Sequence, residues 1–178
     1  MSSPELPYQP FYCEENVFQL CAHPALRGRS PAALFIRGLG PTCVIWHQRA
    51  TAPDEPTFWD YHVVLLARDP WEIWDLDTRL GCPVAATTYL RRSFRPELAL
   101  RAEFTPRFRL VEATALARTF ASDRSHMRGP DGLYREPPPP WPPIGGEGAP
   151  STLARFLDLH DPIAGELLDL PALLTRTA

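Results

Sequence analysis

A chain of 178 residues, 44% hydrophobic and 22% charged, is long enough for one domain with a full core and has the balance of an ordinary globular protein. A formal net charge of -3 disfavours nucleic acid and anionic membrane as partners, since both require a basic patch. All 18 basic residues are arginine, which excludes Schiff-base chemistry, a Walker-type phosphate lysine and a lysine general base.

The opening "MSSPELPYQP" has neither a basic n-region nor an apolar h-region, and residues 1–9 read as an extended segment. No window approaches the ~18 apolar residues of a membrane span, so a cytoplasmic chain is expected. In that setting Cys13, Cys21, Cys43 and Cys82 are expected to be free thiols. Residues 13–23 predict a helix, because Cys13, Val17, Leu20 and Cys21 share a face and Glu14 and Glu15 fall in the first turn, with Pro24 and Gly28 ending it. "AALFIRG" (32–38) and "TCVIWHQRA" (42–50) read as a hairpin around Leu39, Gly40 and Pro41.

"DYHVVLLAR" (60–68) and "WEIWDLDTR" (71–79) predict a second hairpin about the turn former Asp69-Pro70. A helix is expected within 85–100, a strand at 107–113 and a short helix at 113–121. Residues 122–150 are punctuated throughout by Gly and Pro and predict an ordered irregular loop. "STLARFLDLH" (151–160) reads as a helix with Ser151 as N-cap, followed by a last short helix or an irregular tail. This order predicts a single α+β domain over 1–178, with a central antiparallel or mixed sheet flanked by helices.

Cys13 lies where a thiol is most easily ionised, since a helix start offers partial positive charge and free N–H groups. The two glutamates that follow oppose this, so a histidine partner is required. In the second hairpin, a two-residue turn at Arg68 and Asp69, or a four-residue loop at 67–70, makes paired positions sum to 137. His62 then faces Asp75 directly, with Asp77 its diagonal neighbour, and a histidine–carboxylate pair of that kind fixes the imidazole tautomer. A thiol on a helix start with His and Asp on adjacent strands resembles the core of papain-like and transglutaminase-like thiol hydrolases.

"YCEENVFQLC", "WDYHVVLL", "WDLDT", "FASDRSHM" and "REPPPPWPPI", in that order from Tyr8 to Ile144, resemble the protein N-terminal glutamine amidohydrolase family. The resemblance implies a monomeric, cofactor-free enzyme, without a catalytic metal, that deamidates N-terminal glutamine within an N-degron route to protein degradation. The family's nucleophile falls on Cys13, its histidine on His62 and its aspartate on Asp75. Partners would be proteins or peptides beginning in glutamine. The tract here ends in "WPPI" where the family often has a cysteine before the isoleucine, and the region after 150 is the least similar.

Restriction to a chain terminus requires a group for the substrate's α-ammonium, and Glu14, Asp60 and Asp123 are the carboxylate candidates. By itself the "FASDRSHM" run reads as a capping loop; the resemblance implies instead a pocket wall, through Asp123 and Ser125, with His126 structural. "PPPPWPP" (137–143) reads as a strap packed along the domain rather than a polyproline ligand. Cys21 and Cys43 are expected in the core, and a metal site at Cys43 and His47 lacks the paired spacing one needs. Two other readings stay open: a broader thiol hydrolase acting on internal residues, and a non-catalytic interaction module built on the proline tract.

Overall fold

The computed structural model describes residues 5–178; the start of the expected 1–9 segment lies outside them. Among the described residues, five α-helices and eight strands follow in chain order, with three short 3-10 turns between them: α1 (Cys13–Cys21), β1 (Ala32–Gly38), β2 (Cys43–Ile45), β3 (Thr57–Trp59), β4 (His62–Ala67), β5 (Glu72–Trp74), β6 (Val84–Ala85), α2 (Ala86–Phe94), β7 (Pro106–Glu112), α3 (Ala113–Thr119), α4 (Leu153–Leu157), β8 (Glu166–Asp169) and α5 (Leu170–Arg176). Six strands form one sheet in the order β6-β5-β4-β1-β7-β8. Every ladder in it is antiparallel. The fold is thus the expected α+β domain, and no described helix is long and apolar enough to cross a membrane.

β1 is the central strand, and its run of apolar residues reflects burial on both faces. Alternation sends Ala32, Leu34 and Ile36 to a core shared with Leu90 and Phe94 of α2 and Leu173 of α5. Ala33 and Phe35 point the other way, into a core with Val17 and Leu20 of α1, Leu116 of α3 and Phe156 of α4. Helices therefore cover both sides of the sheet.

The expected pairing of 32–38 with 42–50 does not form. Both edges of β1 are already taken, by β4 and by β7. At Gly38 the chain turns so tightly that an added Cβ would lie 2.1 Å from the Thr42 carbonyl oxygen. β2 is diverted into a separate two-stranded ladder with β3. The second hairpin does form, but its register differs from the expected one: Leu65 pairs Trp74, Leu66 pairs Ile73 and Ala67 pairs Glu72. Positions sum to 139, because the loop occupies 68–71 rather than 67–70.

α2 is shorter than its 85–100 window, ending where Arg95 takes a left-handed conformation ahead of Pro96. α4 begins one residue after Thr152, not at Ser151; the Ser151 hydroxyl instead accepts the Leu153 N–H at 3.3 Å. The tail carries α5 and also a strand, β8, that extends the sheet beside β7. Arg109 of β7, 2% exposed, secures the connection by donating to the carbonyls of Phe156, Asp158, Asp161 and Ile163. Gly165 has φ +122°, and an added Cβ would meet Arg109 Cγ at 2.8 Å.

Candidate active site

Cys13 is the first residue of α1. The preceding chain is fixed by Asn16, whose side chain accepts the Gln9 N–H at 2.8 Å and donates to the Gln9 carbonyl at 2.9 Å. Tyr12 holds the N-cap position without a side-chain cap, so no N-cap side chain occupies the first-turn N–H groups.

His62 opens β4 and Asp75 follows the last residue of β5, so the antiparallel pairing brings both to the same end of the two strands. His62 Nε2 lies 3.0 Å from Asp75 Oδ1, with both side chains buried. In the observed register Asp75 is a diagonal neighbour of His62, and position 77 is the one that the sum of 139 sets opposite. Asp75 makes the contact because the chain leaves the ladder at Trp74 and the carboxylate is turned inward by other donors. The Asp77 N–H donates to Oδ1 at 2.9 Å, Gln48 Nε2 to Oδ2 at 2.9 Å and the Tyr89 hydroxyl to Oδ2 at 2.8 Å.

Burial alone would raise the Asp75 carboxyl, but the His62 imidazole and the donors around the carboxylate outweigh it and hold it below the ordinary range. Burial would likewise lower His62, and Asp75 outweighs it, so the imidazole is raised above its usual value. With Nε2 committed to Asp75, Nδ1 is the nitrogen left for chemistry. The indole of Trp59 stacks on the ring with centroids 6.3 Å apart.

Cys13 is half-buried, and burial pushes its thiol well up, with the charge of Glu14 adding to the rise. The N–H of Val63, the residue after His62, faces the sulfur and opposes that shift. Cys13 Sγ donates to Glu14 Oε2 at 3.6 Å. Glu14 is 1% exposed, and the Tyr61 hydroxyl donates to the same oxygen at 3.1 Å. His126 Nε2 lies 3.2 Å from Glu14 Oε1, but out of line for a hydrogen bond, so Oε1 is buried without a hydrogen-bond partner. A thiolate here meets a like charge; two unit charges about 4 Å apart repel by about 4 kcal/mol at an effective dielectric constant near 20.

Glu15 has a different task. It is fully buried and accepts Arg124 Nε at 2.9 Å, Arg124 Nη2 at 2.8 Å, the Ser122 hydroxyl at 3.1 Å and Trp141 Nε1 at 2.8 Å. It joins α1 to the 122–124 loop and to the proline tract. That tract lies against the domain as a strap, its Glu136, Pro137 and Trp141 carbonyls accepting from Tyr12, Gln9 and Arg124.

The other candidates are placed less centrally. Asp60 and Ser125 are exposed, and Asp123 is exposed with its carboxylate accepting the Ser125 N–H at 2.9 Å, a contact within its own turn. The Ser125 hydrogen bonds hold Asp123 below the usual carboxylate range. His126, expected to be structural, faces Glu14. Gln48, Tyr89 and Tyr61 were not singled out by the sequence pattern; Tyr61 and His126 do stand inside the "WDYH" and "SDRSHM" blocks, whereas nothing local marks Gln48. All four cysteines are free, and burial pushes Cys21 and Cys43 up to about 12 and Cys82 up to about 11.

Ligand atoms of His62, Asp75 and Asp77 lie within 4.8 Å of one another. Most of this set is engaged in hydrogen bonds: Asp75 accepts four donors, and Asp77 Oδ1 accepts the Tyr8 hydroxyl at 2.6 Å. The cluster is a hydrogen-bonded set.

Residues 8–176 match the N-terminal glutamine amidase family, so the match continues past Ile144 through the C-terminal elements. The chain is 38% identical over 165 residues to the Homo sapiens protein N-terminal glutamine amidohydrolase, covering 89% of this chain and 80% of that one. It is 35% identical over 177 residues to the Bos taurus protein of that name, with 95% and 86% covered. It is 36% identical over 156 residues to the Arabidopsis thaliana one, with 81% and 71% covered. With a match across nearly its whole length, the chain belongs to the N-terminal glutamine amidase family.

Proposed function

We propose that this protein deamidates the N-terminal glutamine of proteins or peptides to glutamate, releasing ammonia, with Cys13 as nucleophile, His62 as acid and base, and Asp75 orienting the imidazole. The His62–Asp75 hydrogen bond of 3.0 Å beside a helix-start thiol carries this reading, together with the names of the relatives.

His62 Nδ1 takes the Cys13 proton, and the thiolate attacks the side-chain amide carbon of glutamine. First-turn N–H groups of α1 hold the oxyanion. His62 returns the proton to the departing amine, ammonia leaves and a glutamyl thioester remains on Cys13. His62 then removes a proton from water, whose hydroxide adds to the thioester carbonyl; the Cys13 sulfur leaves and is reprotonated, giving glutamate and free enzyme.

Of the four substrate-binding candidates, the contacts favour Glu14 for the α-ammonium, because its carboxylate is buried against the Cys13 sulfur while Asp60, Asp123 and Ser125 are exposed. A buried ionic partner of this kind selects a free terminus over an internal residue, which distinguishes the reading from a broader thiol hydrolase. The bonds of the proline strap to the domain's own side chains speak against an interaction module.

The test is a panel of peptides carrying glutamine at the first position, glutamine internally, or asparagine at the first position. Ammonia and an amide-to-acid mass change are expected from the first alone. Comparable release from internal glutamine would favour the broader hydrolase.

A further inference from the structure

We propose that Glu14 is a charge gate: its carboxylate holds the Cys13 S–H until the α-ammonium of a bound chain terminus seats beside it and neutralises it. The proposal rests on the deamidation reading for the identity of that ammonium. It goes further by making the terminus a trigger for the nucleophile as well as a point of attachment.

The geometry gives Glu14 two contrasting oxygens. Oε2 accepts from the Cys13 thiol at 3.6 Å and from Tyr61 at 3.1 Å. Oε1 is buried and takes no hydrogen bond, His126 Nε2 lying 3.2 Å away but out of line, and His126 Nδ1 is buried and unpartnered too. A buried carboxylate oxygen without a donor costs stability unless a ligand supplies one. A primary ammonium supplies three donors and a positive charge.

The groups that bear on Cys13 are Glu14, which also accepts from Tyr61 and faces His126, the Val63 N–H and Asp77, and the His62–Asp75 pair begins one residue before Val63 on β4. Glu14 is the carboxylate in direct contact with the sulfur. Without substrate, its charge opposes the thiolate, and the S–H proton stays on sulfur. Once an ammonium pairs with Glu14 the opposition is cancelled, and the proton passes from sulfur to His62 Nδ1, leaving a thiolate–imidazolium pair. A chain lacking the terminal amine fails at this step even when its glutamine side chain reaches the sulfur.

The gate is tested without turnover by the rate of iodoacetamide alkylation at Cys13, in wild type and in Glu14→Gln. Removing the charge should raise the rate at pH 7 about tenfold or more, the factor in thiolate for one unit of pKa. An unchanged or slower rate in folded Glu14→Gln overturns the proposal. Wild type supplies a second measurement, using a Gln-terminal peptide and its analogue with hydrogen in place of the α-amine. The analogue should lose kcat by about a hundredfold, and Glu14→Gln should turn it over faster than wild type does. An analogue that keeps wild-type kcat and merely raises KM would sink the gate. If the Gln-terminal peptide is itself not deamidated, the functional reading fails, while the alkylation rates still decide whether Glu14 controls the thiol.

Discussion

At the scale of single residues, Asp75 decides what His62 can do. Burial pulls the imidazole down and Asp75 pushes it up by more, so removing the charge should reverse the sign. Asp75→Asn is expected to move the His62 titration, followed by NMR, from above about 6.5 to below it. Turnover should fall roughly 10²–10⁴-fold, as when an orienting carboxylate is replaced by an amide in other triads. The linkage follows from the same shifts. The raised His62 stabilises the fold at low pH, and this is lost as pH rises through its folded value. The depressed Asp75 stabilises it at higher pH, lost as pH falls through its own. The pair therefore contributes most between about pH 3.9 and 6.5, where urea unfolding should separate wild type from Asp75→Asn most widely. Cys13, His62 and Asp75 are legible in the sequence as residue types in unusual blocks. Gln48 and Tyr89 are not, because each reaches Asp75 from a distant segment, and nothing local distinguishes a buried donor from an ordinary polar residue.

At the scale of elements, the β4–β5 hairpin shows how a correct partner can follow from an incorrect register. The turn former at Asp69-Pro70 locates the hairpin, but the loop is 68–71, and the two-position difference keeps every side chain on its expected face. His62 and Asp75 remain on one face and within reach, now diagonally. The Glu15–Arg124 pair is a second device at this scale, tying α1 to the 122–124 loop and, through Trp141, to the strap. Removing one partner of a buried pair typically costs about 3–5 kcal/mol, because the other charge is left uncompensated. Arg124→Met should therefore lower the melting temperature by roughly 6–20 °C, at about 2–4 °C per kcal/mol for a chain of this size. A loss within a degree or two, measured by circular dichroism, would mean that the strap is held by other contacts.

For the whole molecule, the α+β class was legible from the order of elements, while the strand order was not. β1 pairs with β4 and β7 across long stretches of chain, and alternation within β1 does not reveal which segments take its edges. β8 is missed for a related reason: four residues with a largely exposed pattern carry little periodicity, and the strand exists because β7 offers it an edge. The β7–β8 edge of the sheet, away from the β4–β5 hairpin that carries His62 and Asp75, should accordingly affect stability and leave chemistry alone. Leu173→Ala, at a fully buried position of α5, is expected to cost about 2–5 kcal/mol in urea unfolding while kcat for a Gln-terminal peptide stays within a factor of two. The proposed deamidation depends on Cys13 as its nucleophile. It is tested most directly by incubating wild type and Cys13→Ala, both folded and reduced, with a peptide beginning in glutamine and following ammonia release. Wild type should release one ammonia per peptide and Cys13→Ala none; release by Cys13→Ala, or its absence from wild type, would contradict it.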